Sequence, residues 1–336
     1  MKFLTEYRNP DLVKFYLSEI EKTVTKPWNI MEICGGQTHS LVKNGLLDLL
    51  PDNVRMIHGP GCPVCVTPIS LIDKDVALME KGVILCSFGD MVRVPGSKKS
   101  LLQAKADGGD LRILYSPLEA VQIAEKNPEK EVVFFAVGFE TTAPSNALSV
   151  VHAQKLGLNN FSLLVSHVLV PPAMEAILDD KFCKINAFLG AGHVNTIMGL
   201  KEYHPIAKKY KIPIVVSGFE PADLLQAIYH AVLQLEKGEY KVENCYERLV
   251  KEEGNVPAQN VVNEIFEIGE QEWRGIGKIP ESGLVMKEKY AEFDASRKFD
   301  ISNSVNKQEN LCIAGEILKG IKKPVECPQF GKTCNP

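Results

Sequence analysis

The chain has 336 residues, of which 38 are basic and 42 acidic, and its formal net charge is −4 at pH 7. Hydrophobic residues make up 45% and charged residues 24%. These fractions are ordinary for a soluble globular protein, and they exclude a disordered tail, a collagen-like fibre and a simple coiled coil. Because the charge is slightly acidic, we expect no nucleic-acid partner. The unusual feature is the presence of nine cysteines.

The N-terminal sequence contains no recognisable export signal. Glu6, Arg8 and Asp11 interrupt any apolar stretch of the kind that a signal peptide requires. The longest strongly apolar run, at 132–139, is far shorter than the roughly 18 residues of a membrane helix. We therefore expect a cytoplasmic protein with no membrane partner. In that reducing compartment, cysteines more often serve catalysis or metal binding than structural disulfides.

Short apolar segments alternate with amphipathic segments along most of the chain. They are rich in Val, Ile, Leu and Phe and lack polar alternation, which is typical of strands buried on both faces of a parallel sheet. The intervening helical patterns predict doubly wound α/β units. The predicted strands are 29–34, 54–58, 83–88, 111–115, 131–137, 162–166, 185–189 and 212–217.

The predicted fold class is α/β, with two similar doubly wound parallel-sheet domains and a small, mainly helical or loop third domain that contains cysteines. Within the third domain, 239–253 has a helical pattern and 273–283 is rich in loop-forming residues. An N-terminal helix at 1–28 is predicted to pack on the third domain. The first α/β domain, with the cysteine loops, is predicted at 29–139 and the second at 140–240. The C-terminal helical and iron–sulfur-type domain is predicted at 241–336.

The first cysteine motif follows a predicted strand. Gly35 and Gly36 come directly after Cys34 and permit a sharp turn, and His39 lies nearby. In open α/β sheets, ligands bind outside the carboxyl ends of the strands. Cys34 therefore stands where a functional residue is expected, although a buried, purely structural thiol is the alternative.

The second cysteine motif, HGPGCPVCVTP at 58–68, contains Cys62 and Cys65. Their C-x-x-C spacing suits a dithiol switch or two ligands of a metal site. Thr67 and Pro68 predict the start of a helix, which would place Cys65 where the helix dipole favours a thiolate. An incidental pair is the alternative, but the surrounding prolines and glycines favour a functional loop.

The remaining cysteines fall into two groups. Several thiolates in a short cytosolic tail indicate zinc or an iron–sulfur cluster, yet three ligands are one fewer than such sites usually have. The tail cysteines are Cys312, Cys327 and Cys334. The other three, expected to be core thiols, are Cys86, Cys183 and Cys245.

Polar residues also follow several predicted strands. Glu140 and Glu220 each come after a Gly-Phe pair, where a carboxylate can take part in proton transfer or simply cap a helix. His167 and His193 occupy similar corners. The sequence has no Walker A motif, dinucleotide fingerprint or nucleophile elbow, so it predicts no site of those kinds.

Seven motifs together resemble the HypD family of [NiFe]-hydrogenase maturation proteins, over nearly the whole chain. They are EICGGQTHS (32–40), GPGCPVCVTP (59–68), VGFETTAP (137–144), GHVNTIMG (192–199), SGFEPAD (217–223), WRGIG (273–277) and CPQFGKTCNP (327–336). The resemblance implies two similar α/β domains and a small iron–sulfur domain with a [4Fe–4S] cluster. It also implies an assembly scaffold rather than a classical turnover enzyme.

The resemblance further implies a role in building the Fe(CN)2CO group of the hydrogenase. With a small HypC-type chaperone, the scaffold would hold an iron atom while two cyanides and one carbon monoxide are attached. HypE would supply the cyanide, made with HypF from carbamoyl phosphate. The general alternatives are a dithiol oxidoreductase that uses Cys62 and Cys65, and a zinc-stabilised binding protein without a redox role. The first alternative leaves Cys34 and the tail without a function.

The resemblance also implies roles for individual residues. Cys34 would be the iron-holding thiolate, and Cys62 and Cys65 would be a redox-active pair that also belongs to the metal site. The expected residues around that cleft are His39, Glu140 and Glu220, and the expected cluster ligands are Cys312, Cys327 and Cys334.

Two departures from the family pattern are visible. Gln37 stands where the family has histidine, and an amide cannot carry a proton charge. The sequence ends at Pro336, whereas family members usually continue and supply another cysteine. The three tail cysteines are one ligand short of a four-cysteine cluster, so either the fourth ligand comes from elsewhere or the tail is degenerate.

Overall fold

The structure, a computed structural model, describes residues 6–299 and 313–332. Within these residues the strands are β1 (Trp28–Glu32), β2 (Val54–His58), β3 (Ile84–Ser87), β4 (Leu111–Ile113), β5 (Val132–Gly138), β6 (Phe161–His167), β7 (Ala187–Ala191), β8 (Ile214–Ser217), β9 (Val242–Asn244), β10 (Phe266–Trp273) and β11 (Gly277–Met286).

The α-helices of the same residues are α1 (Pro10–Thr23), α2 (Gly35–Lys43), α3 (Leu46–Leu49), α4 (Pro63–Val66), α5 (Ile69–Glu80), α6 (Leu101–Ala106), α7 (Pro117–Lys126), α8 (Ala143–Lys155), α9 (Val170–Leu178), α10 (Gly192–Met198), α11 (Tyr203–Tyr210), α12 (Pro221–Lys237), α13 (Val256–Ile265), α14 (Ala295–Lys298) and α15 (Ala314–Leu318). Short 3-10 turns lie at Glu6–Arg8, Glu288–Phe293 and Pro324–Glu326. No helix of the described chain is both long and apolar enough to cross a membrane.

The chain forms two compact units. The first unit contains residues 6–62, 170–256 and 313–332. Its sheet has the strand order β2-β1-β7-β8-β9, with every neighbouring pair parallel. Ile30 and Leu189 belong to a fully buried core cluster beneath α12. Apolar strands buried on both faces explain why this sheet needs helices on each side.

The second unit contains residues 63–169 and 257–299. Its sheet has the parallel order β4-β3-β5-β6, and every residue of β5 is buried. Strands β10 and β11 form a separate antiparallel hairpin. Phe266 and Met286 from this hairpin join the same core cluster as Phe134 of β5. The hairpin therefore contributes to the core of this unit.

The predicted fold class is confirmed, because both sheets are parallel and helices alternate with strands. The eight predicted strands correspond to β1 through β8, with ends that differ by a few residues. The expected split near 140 differs from the observed sheets, since β5 and β6 pair across that position and β1 and β2 join β7 and β8. Sequential strands are usually neighbours, and a return of the chain to an earlier sheet leaves no local sequence signal.

Three further expectations differ from the structure. Helix α1 packs against α12 of the first unit instead of against a separate third domain. The stretch 239–253 contains strand β9 rather than a helix. The loop-rich stretch 273–283 forms the turn and part of the β10–β11 hairpin, in which Trp273 pairs with Gly277. Gly275 and Gly277 have positive φ angles of 86° and 102°, which suits this tight connection.

Candidate functional site

Cys34 lies beyond the carboxyl end of β1, at the N-cap position of α2. Burial raises the pKa of its thiol, while the backbone N–H groups of Gly36 and Gln37 hydrogen-bond to it and oppose that rise. Nearby Glu32 and Cys62 also raise the pKa. The thiol is thus partly shielded from water and supplied with donors that can stabilise a thiolate.

A glycine loop brings Cys62 beside Cys34 within the first unit. The N–H of Gly35 donates to the carbonyl of Gly61 at 2.9 Å. A Cβ built on Gly61 would overlap the backbone nitrogen of Cys34, and one built on Gly35 would lie 3.9 Å from the Cβ of Cys62. Glycine is therefore required at position 61, because only a bare backbone can approach this closely.

A carboxyl group that the sequence did not single out lies beneath Cys34. Glu32 is fully buried, and its Oε2 accepts the N–H of Cys34 at 2.9 Å. Its Oε1 accepts the hydroxyl of Thr38 and lies 2.7 Å from Nδ1 of His58. The available sequence signal is a charged residue at the end of an otherwise apolar strand, directly before the cysteine motif.

Aromatic rings pack against the start of α2. A Cβ built on Gly36 would lie 3.0 Å from the ring of Phe219. The ring of His193 stacks on Phe219 with centroids 3.9 Å apart, and burial lowers the pKa of His193. The hydroxyl of Ser40 donates to the carbonyl of Phe219 at 2.5 Å. This side of the cysteine turn is therefore apolar and closely packed.

Gln37 lies in the first turn of α2, three residues after Cys34. Its side chain is fully buried, and Nε2 donates to the carbonyl of Gly190 in β7 at 3.0 Å. The amide thus ties the first turn of α2 to the neighbouring strand. This interaction needs a donor but no charge, so glutamine satisfies it.

Cys65 is an exposed residue of the short helix α4 in the second unit. The expectation that Thr67 caps a helix following Cys65 is wrong. Thr67 instead donates its hydroxyl to the carbonyl of Pro63 at 2.8 Å, and Pro68 is the N-cap of α5. The N–H of Arg274 donates to the carbonyl of Val66 at 2.7 Å, so the WRGIG segment anchors the end of α4.

Glu140 lies in the second unit, shortly after β5, and is 9% exposed. In the same unit, a buried polar pair joins α8 to the end of β6. Nδ2 of Asn146 lies 2.7 Å from Nε2 of His167, and burial lowers the pKa of His167 to about 4. His167 is therefore neutral at pH 7 and belongs to the packed interior.

Glu220 is the N-cap of α12 in the first unit, where it forms a capping box with Asp223. Arg8 also binds its carboxylate at 2.5 and 2.8 Å, and this hydrogen bonding lowers the pKa of Glu220. Fully buried Asp223 accepts two hydrogen bonds from Arg248, at 2.8 and 2.5 Å. The sequence predicted neither arginine, because each partner lies far away along the chain.

The remaining predicted residues are His39 and the three tail cysteines. His39 is exposed on α2. Cys327 follows the turn at Pro324–Glu326, and backbone N–H groups of Ile313 and Gln329 lower its pKa. Cys312 and Cys334 lie outside the described residues.

Of the three expected core thiols, one is fully buried and two are partly buried. Cys86 is fully buried, and burial raises its pKa to about 12. Cys183 and Cys245 are partly buried. The seven cysteines that the structure describes are all thiols rather than disulfides. Across 6–299 and 313–332, no three His, Cys, Asp or Glu side chains are arranged to hold a metal ion.

Comparison with known proteins gives a match along almost the whole sequence. A family model, HypD, described as the hydrogenase formation hypA family, matches residues 11–336. The chain belongs to the HypD family. Its sequence is 46% identical to hydrogenase maturation factor HypD2 of Bradyrhizobium diazoefficiens, with all of this chain and 91% of that protein covered.

Two other family members agree with this assignment. HypD of Azotobacter vinelandii is 45% identical, with all of this chain and 91% of that protein covered. HypD of Escherichia coli K12 is 43% identical, with all of this chain and 92% of that protein covered. Both are named hydrogenase maturation factors. The resemblance predicted from the motifs is thereby confirmed at the level of the family.

Proposed function

We propose that the chain is a cytoplasmic hydrogenase maturation factor that serves as an iron-binding assembly scaffold. With a HypC-type chaperone, it holds iron as substrate while cyanide and carbon monoxide are attached to form the Fe(CN)2CO group of [NiFe]-hydrogenase. HypE, working with HypF, donates the cyanide. The observation that carries this proposal is the Cys34 thiol at a strand end, with two backbone N–H donors and Cys62 beside it.

Thiolates are the ligand type that suits this iron chemistry, because sulfur is a soft, electron-rich donor. Burial raises the pKa of Cys34, so the sulfur holds its proton until a metal ion takes its place. The N–H groups of Gly36 and Gln37 then stabilise the charge on the sulfur. Cys34 would act as the principal protein ligand, with a HypC-type partner supplying a second thiolate.

Cys62 and Cys65 are proposed as the redox-active pair, each also able to contact the iron. Formation of a disulfide between two thiols releases two electrons and two protons, which suits a reductive ligand-attachment step. Exposure of Cys65 on α4 leaves its thiol accessible to a redox partner. His39, Glu140 and Glu220 are proposed participants in the same reaction, with Glu220 also holding Arg8.

A resident [4Fe–4S] cluster is proposed for the C-terminal tail. Cys327 fits a cluster ligand, because backbone N–H groups surround its sulfur and lower its pKa, a pattern that favours a coordinated thiolate. Cys312 and Cys334 would be its partners. When bound, such a cluster supplies one-electron transfer, and the protein residues hold it by their thiolates.

The scaffold role can be tested by infrared spectroscopy of the intact complex. The chain is expressed with its HypC-type partner in a host that has the full maturation pathway, and the complex is purified anaerobically. We expect cyanide and carbonyl stretching bands in the wild type and in Cys183→Ala, a partly buried thiol of the same unit. Cys34→Ala is expected to lack them.

Two results would contradict the scaffold role. Absence of the cyanide and carbonyl bands from the wild-type complex would show that it does not hold the proposed iron group. Full maturation activity of Cys34→Ala in a complex that lacks the bands would instead favour a general dithiol oxidoreductase, in which Cys34 is dispensable.

A further inference from the structure

The carboxyl group of Glu32 joins three segments of the first unit. It ends β1, and its Oε2 accepts the backbone N–H of Cys34 at 2.9 Å. Its Oε1 accepts the hydroxyl of Thr38 from the first turns of α2. The same oxygen lies 2.7 Å from Nδ1 of His58, the last residue of β2. One buried side chain thus contacts both elements that precede the cysteine loops.

These contacts fix the backbone of Cys34 from both sides. Glu32 holds the Cys34 N–H, while the N–H groups of Gln37 and Thr38 donate to the Cys34 carbonyl at 2.8 and 3.2 Å. A buried carboxyl group is costly unless hydrogen bonds satisfy it, and here its donors come from the residues around the thiol. Both oxygens of the Glu32 carboxyl group therefore accept hydrogen bonds from the turn that carries Cys34.

We propose that Glu32 is a positioning residue that sets the orientation of the Cys34 thiol. Loss of its acceptor oxygens would release the Cys34 N–H, Thr38 and His58, and the turn would become mobile. The consequence for iron binding rests on the proposed function. The orientation of the Cys34 thiol does not depend on the proposed function, because it can be measured in the protein without iron.

The chain supplies a matched carboxyl group for comparison. Glu236 on α12 belongs to the same unit and also accepts three hydrogen bonds. The donors are the N–H of Thr25 at 2.9 Å, the hydroxyl of Thr25 at 2.6 Å and Nε1 of Trp28 at 2.7 Å. Trp28 begins β1, so Glu236 lies at the end of that strand opposite Cys34. Glu236 is partly exposed whereas Glu32 is fully buried, so variants of the two glutamates are compared at a matched loss of thermal stability.

The experiment measures alkylation of individual cysteines by iodoacetamide, followed by mass spectrometry, on the full chain without iron. Wild type is compared with Glu32→Gln, Glu32→Asp and Glu236→Gln, together with thermal unfolding of each. We expect Cys34 to react about fivefold faster or more in both Glu32 variants, a change of the size of one lost hydrogen bond. Cys183 should react at the wild-type rate in all of them.

The two Glu32 variants separate the position of the carboxyl group from its presence. Glu32→Asp keeps a carboxyl group but shortens its reach, so faster labelling of Cys34 in this variant identifies geometry as the cause. Thr38→Val removes one donor and should give a smaller increase, which Thr38→Ser should reverse. The Thr38 pair decides the question if the Glu32 variants do not fold.

The proposal is overturned if Cys34 labels at the wild-type rate in both Glu32 variants. It is also overturned if Glu236→Gln accelerates Cys34 labelling as much as Glu32→Gln does at a matched loss of thermal stability. Absence of the infrared bands from the wild-type complex would contradict the proposed function but would not change the labelling rates of Cys34. The two failures are therefore distinguishable.

Discussion

Gly61 packs directly against the backbone of Cys34, and no side chain fits between them. A Cβ built on Gly61 would overlap the Cys34 amide nitrogen, and the carbonyl of Gly61 accepts the N–H of Gly35 at 2.9 Å. The two cysteine motifs are thus joined by backbone contact rather than by a disulfide. The close contact of the two backbones explains why the second motif has glycine at position 61.

Gly61→Ala is expected to destabilise the protein, because the added methyl group must displace the Cys34 backbone. Overpacking of this kind typically costs about 1–3 kcal/mol in the free energy of unfolding. Gly35→Ala is the matched control, since its Cβ would meet only atoms at 3.6 and 3.9 Å, an ordinary contact distance. Denaturant titration of both variants measures the difference. Equal stability of the two variants would show that the loop can move aside.

Arg248→Met is expected to destabilise the first unit strongly. Asp223 is fully buried, and Arg248 supplies it with two hydrogen bonds. Removing the arginine leaves a buried carboxylate without its partner, which costs about 3 kcal/mol or more. Arg8→Met is the control, because the Arg8–Glu220 pair is exposed and should contribute far less. The free energies of unfolding of the two variants should therefore differ clearly, and similar losses would contradict this assignment.

The strands could be predicted from the sequence because a strand that is buried on both faces is a continuous run of apolar residues. Segments such as Val132–Gly138 are uniformly apolar, and every residue of that strand is buried. Their partners could not be predicted in the same way. The pairing of Met31 with Phe188 joins residues separated by most of the first half of the chain. Hydrophobic composition identifies a strand but does not select its neighbour.

The same distinction applies to the candidate site. The sequence identified Cys34 and the glycine loop as candidate site residues, because cysteines flanked by glycines directly after a predicted strand are typical of a functional loop. Glu32 and Arg248 were missed, since their significance depends on partners that the fold brings together. Glu220 could be placed at a helix start, but its pairing with Arg8 could not be predicted from spacing.

Cys327→Ser is expected to lower the iron and acid-labile sulfide content of the anaerobically purified protein. The N–H groups around the Cys327 sulfur favour a thiolate, and serine replaces that sulfur with a harder and more basic oxygen. Cys183→Ser controls for the loss of a thiol elsewhere. Iron and sulfide analysis, with the visible spectrum, measures the effect. Full retention of both elements in Cys327→Ser would exclude this residue as a cluster ligand.

His167 is expected to make the protein less stable as the pH falls. Burial lowers its folded-state pKa from 6.5 to about 4, so the unfolded chain binds a proton more readily than the folded chain. This contribution to stability is present above pH 6.5 and is lost progressively as the pH falls towards 4, by about 3 kcal/mol in total. The difference in unfolding free energy between wild type and His167→Gln should therefore change across this interval. Parallel curves for wild type and His167→Gln would show that folding does not lower the pKa of His167.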